Sequence, residues 1–292
     1  MKENAKNFSV GKMASVLQVS RGAYYKFLGR NPSKRSLENK RLTELIKEVH
    51  EESLETYGSP RIHAELKAKG EVCSRKRVST LMKREGIKAK MIKRRKRTTI
   101  VSKKKKGVFP NLLDQNFEVE KPNTVYASDI TYIPTEEGWL YLSVTLDLFS
   151  RKVIGMTMEN RLETSLSIKA LEQALKHRKI SSKEEVLHHS DRGVQYTSEK
   201  FQRLAEENKI KLSMSGKGHC YDNAVVESFF HTLKTEHVFF ERYRTREEAM
   251  VSLFEYIETF YNRKRRHSTL GYLSPEEFEQ KNEKENKRVL SV

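Results

Sequence analysis

Cysteine is almost missing from this chain. There are two, Cys73 and Cys220, far apart in the sequence. Such a pair supports neither a disulfide framework nor a zinc knuckle, which needs cysteines at short spacing. Long apolar runs are missing too. No stretch approaches the roughly 18 uninterrupted apolar residues of a membrane span. The opening Met-Lys-Glu-Asn-Ala-Lys carries no apolar signal core, so the expected location is the cytoplasm, on the chromosome. Acid is in short supply as well: 39 Asp and Glu stand against 57 Lys and Arg, a formal net charge of +18. A field of that sign attracts polyanions and speeds their association. The 292 residues allow two or three domains with a packed core.

The positive charge is clustered. Residues 88–106 hold 11 Lys or Arg and no acid, among them Arg94 and Arg95. This tract lies between two folded-looking segments and reads as DNA-tracking; the basic linker itself is placed at 98–119. Before it, the apolar residues recur at helical spacing. In region 1–56, Met13, Val16 and Leu17 share one face, and Ser20 can cap a second short helix carrying Tyr24, Phe27 and Leu28. A longer helix over 34–54 aligns Leu42, Leu45, Ile46 and Val49. Region 57–97 forms a second helix-turn-helix candidate. Ser59 and Pro60 start its first helix, Gly70 ends it, and Ser74 caps the next. That last helix carries Arg75, Lys76, Arg77, Lys83 and Arg84, which suits a helix entering the major groove.

Beyond the tract, over 120–240, the period shifts toward two. Val125–Ile133, Trp139–Leu146 and Lys152–Met158 read as strands. Helix Thr164–Arg178, strand Val186–His189, a helix after Ser198, strand Ile210–Ser213 and helix Asp222–Glu236 follow. That order suits an α/β class: a mixed sheet with flanking helices, preceded by the all-α region. Three acids stand out. Asp129 interrupts an apolar row in the first strand, Asp191 ends a later one, and Glu227 lies on the helix, with 35 residues between it and Asp191. A carboxylate in an apolar strand is costly unless a cation pairs with it. Three that converge suit hard divalent ions, and two such ions can activate an oxygen nucleophile and stabilise a leaving oxyanion. Lys234, two turns after Glu227, can meet a phosphate beside them. Asp222 reads as a helix N-cap and Asp147 as a structural turn residue. Trp139 reads as a core or hairpin residue. The loop 213–221, with Gly216 and Gly218, offers Lys217 and His219 to a DNA end. Over 241–292, Met250, Leu253, Phe254, Ile257 and Phe260 form a buried stripe. Arg263 to His267 follow as a basic patch, either a solvated cap or a phosphate contact, and Pro275 opens a short helix.

The strings Ala127-Ser128-Asp129-Ile130-Thr131-Tyr132, His189-Ser190-Asp191-Arg192-Gly193-Val194-Gln195-Tyr196 and Tyr221-Asp222-Asn223-Ala224-Val225-Val226-Glu227-Ser228-Phe229-Phe230 resemble those of IS3-family transposases. So do Tyr57-Gly58-Ser59-Pro60-Arg61 and the closing run 261–278. The resemblance covers nearly the whole chain and is to the second reading-frame product of these insertion sequences. It implies an RNase H-like, integrase-type core with Asp129, Asp191 and Glu227 as catalytic, metal-binding triad. It implies Mg²⁺, two ions, with Mn²⁺ able to substitute. The implied chemistry is nicking of element ends and attack of the freed 3′-OH on a target phosphodiester. Partners implied are DNA ends and target, further copies of the chain assembled on DNA, and an upstream-frame product joined by frameshifting. His219 departs from the asparagine of close relatives. Two other functions compete: a DNA-binding regulator, which leaves the acids unexplained, and a hybrid-cleaving nuclease, which leaves the helical N-terminal region unexplained.

Overall fold

The computed structural model of the protein describes residues 1–90, 108–179, 185–216 and 222–290. Arg94, Arg95, Lys217, Gly218, His219 and Cys220 lie outside the described residues.

Helices α1 (Val10–Val16) and α2 (Arg21–Leu28) start where serine can cap, Ser9 accepting from the Lys12 N–H and Ser20 from the Ala23 N–H. The apolar face expected there is not packed. Ala14 and Tyr24 are buried, whereas Val16 is 81% and Phe27 68% exposed. Two helices this short pack little beyond each other, so most of their apolar residues have nothing to lie against.

Helix α3 (Lys34–Glu52) buries Leu42, Ile46 and Val49 along one face, as their spacing requires. Helix α4 (Ser59–Ala68) is capped by Gly58, one residue before the expected Ser59, which leaves Pro60 in the first turn, where its missing N–H costs nothing. Gly70 takes φ +87, a left-handed value favouring glycine, and the Glu71 N–H closes back to Leu66 O. Ser74 caps α5 (Arg75–Arg84), whose inner face is Val78, Leu81 and Met82. Thus α3 joins α4 and α5 in one helical unit.

The sheet has order β3-β2-β1-β4-β5, from β1 (Val125–Thr135), β2 (Gly138–Asp147), β3 (Val153–Glu159), β4 (Val186–Ser190) and β5 (Ile210–Met214). The first three run antiparallel; β4 and β5 lie parallel to β1. These are the order and directions of an RNase H-like sheet. Residues alternate between its faces. Tyr126 packs with Leu171 and Ala174 of α6 (Thr164–Arg178) and Phe201 of α7 (Glu199–Glu207). Ala127, Ile133 and their β2 partners Leu146 and Leu140 pack with Val226, Phe229 and Leu233 of α8 (Ala224–Glu236). That second cluster continues without a break into Ile46, Ile62, Leu66 and Val78 of the helical unit. The N-terminal helices and the sheet therefore share one core.

Helix α9 (Arg246–Glu255) passes into a π-helical turn, Tyr256–Tyr261. Leu253, Ile257 and Phe260 are buried and Met250 packs partly, but Phe254 is exposed, about 100° around from Leu253. Trp139 is a half-exposed hairpin residue, edge-on to Tyr132. Helix α10 (Pro275–Leu290) is longer than the short helix expected. Among the described residues no helix is long and apolar enough to cross a membrane.

Candidate active site

The parallel ladder between β1 and β4 ends at the pair Ser128 and Ser190. The residue after each is an aspartate: Asp129 in the middle of β1 and Asp191 just past the end of β4. The register therefore brings the two acids to the end of the shared ladder, where adjacent strands run about 4.8 Å apart. The Asp129 side chain shares its face with Ala127 and stands opposite Val144 on β2. One of its oxygens accepts the Ile130 N–H at 2.8 Å. Asp191 Oδ1 accepts the Gly193 N–H at 2.8 Å. A Cβ on Gly193 would sit 2.8 Å from that same oxygen, which accounts for glycine in Asp191-Arg192-Gly193.

Helix α8 brings the third acid. Asn223 occupies its N-cap position and donates from Nδ2 to Ser128 O at 3.2 Å, fastening the helix start to β1 beside Asp129. Glu227 lies one turn on, its N–H bonded to Asn223 O. Val226, Phe229, Phe230 and Leu233 are buried, which leaves Glu227 on the helix's open side.

Asp129 feels both of the other acids. Burial, then the charge of Asp191, pushes the Asp129 carboxyl up to about 8. Glu227 adds to the rise, while the Ile130 N–H and Lys234 oppose it. Burial also raises Glu227. Lys234 lies with its Nζ 4.9 Å from the centre of the Tyr132 ring. The carboxyl oxygens do not meet at one point: among the described residues no group of three or more acids, histidines or cysteines is close enough to hold an ion. The three acids' oxygen chemistry and shared location fit divalent ions.

The neighbouring polar residues are structural. His188 Nε2 meets Ser128 Oγ at 2.8 Å, and His189 bridges Ser213 and Ser215. Burial holds His188 down to about 3 and His189 to about 4, so both stay neutral under the strand ends. Asp222 does not cap α8. It accepts from Asn111, Gln115 and the Gly216 N–H, and so ties together the segments that flank the site. Asp147 is fully buried at its turn, accepting the Asn123 and Phe149 N–H groups.

Of the basic residues proposed on α5, Arg75, Lys76, Lys83 and Arg84 are exposed. Arg77 instead reaches Asn39 and Glu38 and fastens α5 to α3. The basic run divides: Arg263 and Lys264 are exposed, whereas Arg265 and Arg266 are buried in ion pairs. Arg265 is 3% exposed and grips Glu236 with two 2.7 Å bonds, and Arg61 reaches Glu236 at 3.1 Å. Arg266 holds Glu65 and Tyr272 O, and its N–H donates to Tyr57 Oη. These partners were not foreseen. They lie up to 209 residues apart in the chain, and only the charged strings themselves hinted at them.

Residues 119–220 match the Integrase core domain family, residues 208–275 a second Integrase core domain family, and residues 37–97 the HTH-like domain family. Sheet, acids and helical unit together define a DNA-binding polynucleotidyl transferase of the integrase-core class. The chain is 42% identical to "Transposase InsF for insertion sequence IS3A" of Escherichia coli (strain K12), over 94% of this chain and 95% of that protein. It is 41% identical to "Insertion element IS600 uncharacterized 31 kDa protein" of Shigella sonnei, over 92% of this chain and 98% of that one. The chain belongs to the IS3-family transposases. Among solved structures, a simian T-cell lymphotropic virus intasome aligns over 79% of this chain and 72% of its own at 16% identity and TM-score 0.43. The HTLV-2 integrase catalytic core in complex with magnesium aligns over 53% and 94% at 17% identity and TM-score 0.41.

Proposed function

We propose that Asp129, Asp191 and Glu227 hold two Mg²⁺ ions and catalyse cleavage of the insertion sequence's ends and their joining to target DNA. The observation that supports this reading is the end of the β1–β4 ladder, with Asp129 and Asp191 the next residue on each side and Asn223 fastening the helix that bears Glu227 to Ser128 of β1. When bound, the ions would supply the Lewis acidity that activates an attacking oxygen and stabilises the leaving one. Manganese suits the same oxygen donors.

The chain's own groups do the rest. The buried row around Asp129 limits water at the reacting phosphate and strengthens every charge interaction there. The histidines, neutral and bonded to serines, brace β1, β4 and β5 at the level of the acids. Lys234 offers a cation beside Asp129 for a DNA phosphate. The exposed Arg75, Lys76, Lys83 and Arg84 present α5 to a duplex, with Arg94, Arg95 and Lys217 as further contacts. On DNA the protein assembles as a homo-oligomer, with an upstream-frame product as a further partner, in the bacterial cytoplasm.

The test is cleavage of an end-bearing duplex in Mg²⁺ by the wild type and by Asp191→Asn. The reading expects a fall of roughly 100-fold or more, since positioned charge carries most of the rate. Equal rates in the two proteins would end it. A regulator without catalysis would show no cleavage in either while binding the duplex.

A further inference from the structure

Two of the sequence strings that the triad does not use meet in space. Arg61 from Tyr57-Gly58-Ser59-Pro60-Arg61 and Arg265, His267, Ser268 and Thr269 from the closing run line one cavity of about 300 Å³. Its opposite wall is α8, with Ser228 and Thr232, and Arg151 completes it. Ser228 follows Glu227 directly, so the cavity opens about 100° around α8 from the acid.

The cavity is cationic beyond what its own ion pairs neutralise. Glu236 compensates Arg265 and Arg61 at its edge. Arg151 donates one terminal nitrogen to Phe117 O at 2.8 Å, while its buried Nη1 has no hydrogen-bond partner among the described residues. A buried guanidinium donor left unpaired is costly, so the site is built for an acceptor. Arg151 also sits at φ +61, a left-handed turn position that favours glycine or asparagine. Keeping a long cation there costs backbone strain that a purely structural turn would avoid. His267 carries no balancing charge. Burial and the cations Arg265, Arg61 and Arg151 hold it well below its ordinary value. Hydroxyls from α8 and the closing run beside the Arg151 and Arg61 guanidinium groups, with Arg265 held behind them by Glu236, are the donor set of a phosphate site.

We infer that this cavity binds a backbone phosphate of DNA, gripping the duplex on the flank of α8 turned away from the acids. The inference rests on the reading of the protein as a DNA-strand transferase but not on which residues are catalytic. It joins the helical unit, the sheet and the closing run in one contact, since each contributes a cation or hydroxyl.

The test is the salt dependence of binding to an end-bearing duplex, measured by fluorescence anisotropy without metal. The proteins are the wild type, Arg151→Gln and Thr232→Glu. Thr232→Glu brings an acid to the cavity and leaves the Glu236 ion pairs in place. Losing one phosphate contact lowers the slope of log K against log[salt] by about 0.9. Affinity falls roughly tenfold for Arg151→Gln, and at least as far for Thr232→Glu. Thermal unfolding confirms that both variants are folded; should either fail, the other carries the test. Cleavage by Asp191→Asn, measured in a separate assay, tests the catalytic reading alone, so failure of this inference and failure of that reading are distinguishable. Unchanged slopes in the folded cavity variants overturn the proposal. So does a thermal shift by inorganic phosphate that the variants abolish while duplex binding stays intact, because the cavity would then serve a free anion.

Discussion

Replacing Glu236 with glutamine removes the acid that two arginines share. Its side chain is 10% exposed and that of Arg265 is 4% exposed. Burial alone would raise the Glu236 pKa, but the bidentate bond and charge of Arg265, with Arg61, outweigh it and hold the carboxyl below its ordinary range. Removing one member of a buried pair leaves its partner charged and unpaired, a loss of about 3–5 kcal/mol. Against a total stability of about 5–15 kcal/mol that is a large share. For a chain of this size it lowers the melting temperature by roughly 10 °C. Replacing Arg265 with methionine in the same protein removes the stranded charge and should recover part of the loss. Urea unfolding of the wild type, both single variants and the double variant gives the coupling energy directly. The sign with pH follows from the depressed pKa: the stabilisation is full above the unfolded-state value and disappears as pH falls through the folded one. A Glu236→Gln loss below about 1 kcal/mol, or a double variant no better than the worse single one, would refute the buried network as a source of stability.

Other consequences are as direct. Gly155 faces α6, and a Cβ there would lie 2.0 Å from Ala170 O, so Gly155→Ala should cost about 1–3 kcal/mol in urea unfolding; a neutral variant would mean the α6 contact is looser than described. The Asp129 carboxyl, raised to about 8, is protonated at neutral pH in the metal-free protein. Because its folded pKa is raised, the protonated form is the favoured one and that stabilisation fades as pH climbs through 8. Metal must displace the proton, so apparent Mg²⁺ affinity by calorimetry should rise up to about tenfold per pH unit below 8 and level off above it; an affinity flat from pH 6 to 9 would count against the site. Asn223→Ala releases the start of α8 from Ser128 and should slow cleavage with little change in duplex affinity, the two measured separately; equal loss in both would assign Asn223 to binding instead.

Much of the fold was legible because the relevant signals are local. Alternation marked the strands, serine before an apolar run marked the starts of α2, α5 and α7, and Thr164–Arg178 has the bounds its periodicity gives. The acids were legible as types and spacing, and the ladder register accounts for Asp129 and Asp191 lying on neighbouring strands. What failed was whatever depends on distant packing. The apolar faces of α1 and α2 follow the helical pattern yet find no neighbour to cover them. Asp222 has the chemistry of a cap but bonds to Asn111 and Gln115, more than 100 residues away. The run Arg263 to His267 reads as a surface patch because charge alone cannot reveal that Glu236 and Glu65 are waiting across the chain.

The claim at the centre is that the three carboxyl groups are metal ligands. Replacing Asp129, Asp191 and Glu227 singly with cysteine exchanges a hard oxygen for a soft sulfur that magnesium binds poorly and manganese tolerates better. Cleavage of an end-bearing duplex by each variant, measured in Mg²⁺ and in Mn²⁺, should be lost in the first and partly restored in the second at the aspartate positions. Cysteine variants that cleave as well as the wild type in Mg²⁺, or Asp129 and Asp191 variants that both stay dead in both metals while binding DNA normally, would contradict it.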